Sequence, residues 1–157
     1  MRYQATLLAV REMPRAIRFY REVLGLAVEA DFGANVTLTG GIALQTLETW
    51  QEFIQRKETE ITLPDLAGEI YFEEPDFDGF LRHLGSFADI AYVHPPITHR
   101  WGQRVVRFFD PDGHIIEVGE TLGAVIARFS AEGLTEEEIA HRMDIPLSFI
   151  RTEREKA

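Results

Sequence analysis

Two glutamates set in apolar, alternating segments are the side chains best placed to do chemistry. Glu69 opens Glu69-Ile70-Tyr71-Phe72-Glu73, and Glu117 sits inside Ile115-Ile116-Glu117-Val118. A carboxylate held on a strand can take a proton, accept a ligand's hydrogen bond or bind a hard cation. Tyr71 alternates with Glu69 and so shares its face, as a pocket wall or phenolic donor. Asp110-Pro111-Asp112-Gly113 reads as a type I turn with Gly113 in the left-handed position, which sets Asp110 opposite His114. Counting outward, Arg107 then stands across from Glu117 on the same face, able to neutralise it or to hold an anionic ligand. His94, His99, Arg100 and Trp101 flank Pro95-Pro96 in what reads as a loop, positioned to line or cover the mouth of a site. His83 and His141 read as surface histidines, and Phe19, Phe108 and Phe109 as core aromatics.

The elements that must position these groups follow from composition and period. The chain has 157 residues, 45% of them hydrophobic and 27% charged, which suits one compact domain or two small halves sharing a core. No apolar run approaches the roughly 18 residues needed to cross a bilayer, and the start does not read as a signal peptide, so the expected location is cytoplasmic. With no cysteine, disulfides, thiolate metal sites and Cys nucleophiles are excluded, leaving His, carboxylate or amide oxygen for any metal. A net charge of −10 repels polyphosphate and disfavours nucleic acid as a partner.

Residues 3–10 read as a strand. Glu12-Met13-Pro14 opens a helix with Ala16, Ile17, Tyr20, Val23 and Leu24 on one stripe, closed at Gly25. Strand-like runs follow at 27–32, 36–39 and 42–47, and 49–65 reads as a linker with a helical turn near Trp50. The order then repeats: a strand at 69–73, a helix at 75–84, a short strand at 91–93 and a hairpin of 105–110 with 115–120. Residues 41–48 lie over 113–120, and 5–20 over 69–84. Each half leaves a sheet face it cannot bury alone, so the two sheets must pair, within the chain or between chains.

Val10-Arg11-Glu12-Met13-Pro14-Arg15-Ala16-Ile17-Arg18-Phe19-Tyr20-Arg21-Glu22-Val23-Leu24-Gly25-Leu26, together with Trp101-Gly102-Gln103-Arg104 and Phe109-Asp110-Pro111-Asp112-Gly113-His114-Ile115-Ile116-Glu117-Val118, resembles the vicinal oxygen chelate superfamily. That superfamily includes glyoxalase I, methylmalonyl-CoA epimerase, extradiol dioxygenases, and fosfomycin- and bleomycin-resistance proteins. The resemblance covers about residues 3 to 120. It implies an α+β fold of two βαβββ modules (3–48 and 67–120 within a domain of 1–121) forming a cupped mixed sheet, and a homodimer binding a small molecule in the cup. It places up to four metal ligands at positions matching Ala5, Gln45, Glu69 and Glu117. Glu117 and Gln45 fit the pattern. Ala5 cannot ligate, and Glu69 replaces a usual histidine, which disfavours the dioxygenase and fosfomycin chemistries.

If Glu69 and Glu117 share the cup, two carboxylates ~4 Å apart repel by about 4 kcal/mol at an effective dielectric of 20. A divalent cation on Gln45, Glu69 and Glu117 would answer this, with Mg²⁺ or Mn²⁺ suiting an all-oxygen set. A shared proton is the second answer, making the pair an acid/base couple, and Arg107 is the third. The leading expectation is a glyoxalase-like lyase or isomerase acting on a carbonyl substrate through an enolate or oxyanion, with Glu69 and Glu117 catalytic and Arg107, Trp101, Tyr71 and His99 contacting the ligand. Ala5 supports the alternative, a metal-free binding protein of the bleomycin-resistance type.

Residues 122–157 fall outside the resemblance and read as a helical extension. Thr135-Glu136-Glu137-Glu138 is a capping box opening one helix, and Pro146 starts a second through Leu147, Phe149 and Ile150, in a helix-turn-helix-like pattern. With five basic and seven acidic residues the extension is poorly suited to DNA, and a ligand-responsive regulator ranks below the other two readings.

Overall fold

The computed structural model describes residues 1–64 and 66–156, so Asp65, at the end of the expected linker, and Ala157, at the end of the extension, lie outside it. The chain divides into two compact units, one of residues 1–68 with 109–114 and one of residues 69–108 with 115–157.

In the first unit, β1 (Thr6–Val10) leads to α1 (Met13–Glu22), then to β2 (Val28–Asp31), β3 (Asn35–Leu38) and β4 (Ile42–Thr46), in the sheet order β1-β4-β3-β2 with β1 parallel to β4. The helix starts with Pro in its first turn and buries Met13, Ala16 and Tyr20. It ends before Gly25, whose φ of 69° lets its N–H return to the Arg21 carbonyl at 3.1 Å. The segment read as a linker holds a helix, α2 (Leu47–Ile54), and a 3-10 turn at Glu58–Glu60. Leu47, Trp50 and Ile54 recur at helical spacing, a signal masked by the polar residues between them.

Tyr20 is fully buried, and its hydroxyl donates to Asp110 Oδ2 at 2.8 Å. The same carboxylate accepts from the backbone N–H groups of Asp112 and His114 and pairs with His114 Nδ1 at 2.8 Å. Burial alone would raise the Asp110 pKa, but these bonds, His114's first, hold it below the usual carboxylate range. Gly113 has φ 94°, and the Asp110 N–H bonds the His114 carbonyl, as the turn reading requires.

The second unit repeats the order with β5 (Glu69–Glu74), α3 (Phe77–Leu84), β6 (Tyr92–Thr98), β7 (Arg104–Phe109) and β8 (Ile115–Glu120), arranged β5-β8-β7-β6 with β5 parallel to β8. Helix α3 starts two residues later than its composition suggests, because the Asp76 side chain caps the Gly79 N–H. β6 runs straight through Pro95-Pro96, so His94 is on a strand and not in a loop. It is the edge strand, where proline's missing N–H breaks no ladder on the solvent side, and its register against β7 shifts between His94 and Ile97.

Beyond β8 the extension forms α4 (Leu122–Ala131), α5 (Glu136–Met143) and α6 (Leu147–Lys156). The Thr135–Glu138 capping box is present in both directions. Val125, Ile126, Phe129, Ile139, Met143 and Ile150 form one buried cluster, which is what folds the three helices together. Arg128 of α4 and Arg104 of β7 share Glu120, at 3.0 and 2.8 Å, and Arg104 also reaches Asp78 at 2.8 Å, tying sheet, α3 and α4. Among the described residues no helix is long and apolar enough to cross a membrane.

Candidate functional site

The face of the second sheet away from α3 gathers the polar groups singled out above. In the parallel β5–β8 register Tyr71 is the partner of Glu117, and on β7 Arg107 reaches both glutamates. Arg107 Nε donates to Glu69 Oε2 at 2.8 Å, one terminal nitrogen forms an ion pair with Glu117, and the other lies 3.4 Å from His94 Nε2. The guanidinium therefore joins two carboxylates and an imidazole, with three of its nitrogens engaged.

The two glutamates are not equivalent. Glu69 has a side chain 37% exposed, and the Arg107 hydrogen bond holds its pKa below the ordinary range. Glu117 is 7% exposed. Burial first, then the hydrogen bond its protonated form donates to Glu69 and the Glu69 charge, push its pKa up against the pull of Arg107. One carboxyl is set to stay ionised and the other to hold a proton more readily.

Next along the same face, Tyr71 is exposed and donates to Glu73 Oε1 at 3.1 Å. Burial of part of its ring, with the Glu73 charge, pushes the phenol up to about 12. Gln103, buried and not anticipated, donates to the Tyr71 hydroxyl at 2.9 Å and to the Glu120 carbonyl at 2.8 Å, while accepting from the Trp101 indole N–H at 3.1 Å. A signal for it existed in Gly119: a β-carbon there would meet Gln103, Tyr71 and Val105 at 3.1–3.3 Å, and a glycine inside a strand marks close approach. His99 and Trp101 stack at 4.2 Å with ring planes 13° apart, and burial, then the Arg107 charge, lower the His99 pKa. Glu69, Glu117, Arg107 and Tyr71 thus lie together, with His99 and Trp101 at the end of the hairpin and linked through Gln103.

Gln45 belongs to the first unit and is fully buried there. Its Oε1 accepts from Asn35 at 2.8 Å and its Nε2 donates to Thr49, tying β4 to β3 and α2. The sheet register also corrects the repeat. Gln45 pairs with Ala9, and Glu117 with Tyr71, so matching Gln45 to Glu117 puts Leu7, and not Ala5, at the Glu69 position. Keeping Ala5 instead puts Ala43 at the Glu117 position. The slip is two residues, one full strand period, so it leaves the face unchanged and escapes a comparison of sequence alone. Either way the first module presents at most one side chain able to bind a metal at these positions.

The model of the Glyoxalase-like domain family matches residues 3–123, and the chain belongs to that family. Among solved structures, it is similar to a protein of unknown function from Agrobacterium tumefaciens strain C58, with 36% identity over 77% of this chain and 94% of that one and a TM-score of 0.68. A glyoxalase-related enzyme from Fulvimarina pelagi shares the fold at 18% identity, 77% and 88% coverage and a TM-score of 0.66. So does a glyoxalase/bleomycin resistance protein/dioxygenase family enzyme from Burkholderia phytofirmans PsJN, at 14% identity, 75% and 97% coverage and 0.65. No curated protein matches the chain.

Proposed function

We propose that this protein is a metal-independent small-molecule-binding member of its family, in which the Arg107 guanidinium supplies the positive charge that the resemblance assigns to a cation. The observation that supports this most is the placement of Arg107 on Glu69 and Glu117 together. The donor set does not fit a divalent ion: both glutamates are engaged by Arg107, the Gln45 oxygen by Asn35, and the matching position on β1 is Ala5 or Leu7. Two carboxylates against one guanidinium leave the face acidic, and exposed Glu69 and Glu73 beside Tyr71 suit a cationic or donor-rich aromatic ligand. The readings of no DNA role and of self-association fit the same picture. Arg151 and Arg154 of α6 are already paired with Glu136 at 3.1 and 2.8 Å, and Leu7, Tyr71 and Ile97 are exposed apolar side chains on strands.

The test is a thermal-shift and calorimetric comparison of cationic, neutral and anionic aromatic compounds on the wild type and Glu69→Gln, with light scattering for the oligomeric state. Saturable binding of cationic compounds that weakens about tenfold in Glu69→Gln, the scale of one charge-assisted hydrogen bond, supports the proposal. Preference for anions, or indifference to Glu69, contradicts it. A second reading, a metal-free acid/base enzyme, is favoured by the opposed displacements of the Glu69 and Glu117 pKa values. Solvent deuterium exchange into carbonyl compounds, abolished in Glu117→Gln, would select it.

A further inference from the structure

Between the β6–β7 hairpin turn and α5 lies a cleft of about 370 Å³ lined by Arg100, Trp101, His141, Arg142, Met143 and Asp144. We infer that this cleft is a second ligand site, built by the C-terminal extension, for a planar aromatic carboxylate.

Charge is the first argument. In a chain of net charge −10, two guanidiniums and an imidazole face one carboxylate here. Among the described residues, most other arginines of this unit (Arg104, Arg107, Arg128, Arg151 and Arg154) are ion-paired, whereas Arg100, His141 and Arg142 have no carboxylate within ion-pair distance. Two unpaired guanidiniums within one concave site match a carboxylate or another bidentate anion.

Preorganisation is the second. The Arg142 guanidinium carbon sits over the Phe129 ring, 4.4 Å from its centre, a cation–π contact that holds the side chain in place without using an anionic partner. Phe129 also seats the opposite wall: a β-carbon on Gly102, where φ is 92°, would lie 2.2 Å from the ring. The Gly102 N–H returns to the His99 carbonyl at 2.8 Å, and Arg128 holds the Gly102 carbonyl at 2.6 Å. The turn carrying Arg100 and Trp101 is therefore fixed before a ligand arrives, which reduces the ordering cost of binding.

The aromatic requirement is the third. Trp101 is half-buried, its N–H satisfied by Gln103 and one ring face covered by His99, so it offers the cleft apolar surface with no hydrogen bond to fill. Beside it the buried Met143 contributes a second apolar contact. A carboxylate between Arg100 and Arg142 would carry its ring against these two, and the volume accepts a one- or two-ring molecule. A bare inorganic anion would leave that surface wet.

The cleft is lined by none of Glu69, Tyr71, Arg107 and Glu117, so this assignment stands or falls without the proposed function. Benzoate, benzyl alcohol and inorganic phosphate are titrated into the full chain while the indole N–H resonances are followed by NMR, with Trp50→Phe assigning the Trp101 signal. Benzoate should move that signal saturably, bind at least about tenfold more tightly than the other two probes, and lose about tenfold in affinity in Arg100→Gln and in Arg142→Gln. Arg100 is exposed on a turn, so its variant keeps the test valid even if removing Arg142 from Phe129 disturbs folding. A Trp101 signal that does not move with benzoate, phosphate binding as tightly as benzoate, or an Arg100→Gln protein that binds benzoate unchanged would each overturn the assignment.

Discussion

Glu117 satisfies two opposed demands, since it is buried beside another carboxylate yet pairs with a guanidinium. Its folded-state pKa is raised, so its contribution to stability is fully present below the unfolded value near 4.3 and is lost as pH rises through the folded value. Glu69 has the opposite sign: its lowered pKa contributes stability above the unfolded value and loses it as pH falls. Glu117→Gln should therefore be as stable as the wild type or more so at pH 7, whereas Glu69→Gln should flatten the acid limb of a denaturation series from pH 7 to 3. Urea titrations across that range check both, and a Glu117→Gln protein weaker at pH 7 by more than about 1 kcal/mol would show that the charge itself is required. In the first unit, Tyr20→Phe removes the hydroxyl bonded to buried Asp110 and should cost about 1–2 kcal/mol in the same assay. No measurable loss would mean that His114 and the backbone donors suffice.

Among the elements, the hairpin of β7 and β8 shows most clearly what is legible from residues alone. Asp110-Pro111-Asp112-Gly113 specifies its turn through local backbone preference, and the turn fixes the register that puts Arg107 on Glu117. Both helices of the repeat and the Thr135 cap were equally legible, for the same local reasons. His94 was not, because its strand depends on an edge position that two prolines tolerate. The partners of Gln45 were not, because long-range side-chain pairing leaves no trace in sequence period, and Gln103 was signalled only indirectly, by Gly119 inside a strand. Helix α4 owes its place to tertiary burial of Val125, Ile126 and Phe129. Its seat on the hairpin turn yields a sharp expectation: Gly102→Ala forces a β-carbon onto Phe129 at a positive φ, and should destabilise by about 2–4 kcal/mol in thermal or urea unfolding. A change under about 0.5 kcal/mol would mean that α4 is loosely docked.

For the whole molecule, family membership leaves the chemistry open, because one fold serves many reactions and the site must decide. The feature on which the proposed function rests is an internal cation, Arg107, placed on both Glu69 and Glu117. On the proposed reading, a protein that carries its own counter-charge has no use for an added one until that counter-charge is removed. The most direct test is titration of Mg²⁺, Mn²⁺, Ni²⁺ and Zn²⁺ against the thermal midpoint of the wild type, Arg107→Gln and Arg107→Gln with Glu117→Gln, since an ion bound only by the folded state raises the midpoint by mass action. The account predicts an unmoved wild type, a lower midpoint in Arg107→Gln that divalent ions partly restore, and loss of that rescue in the double variant. A wild-type midpoint raised by a divalent ion, with the effect abolished by Glu117→Gln, would contradict it.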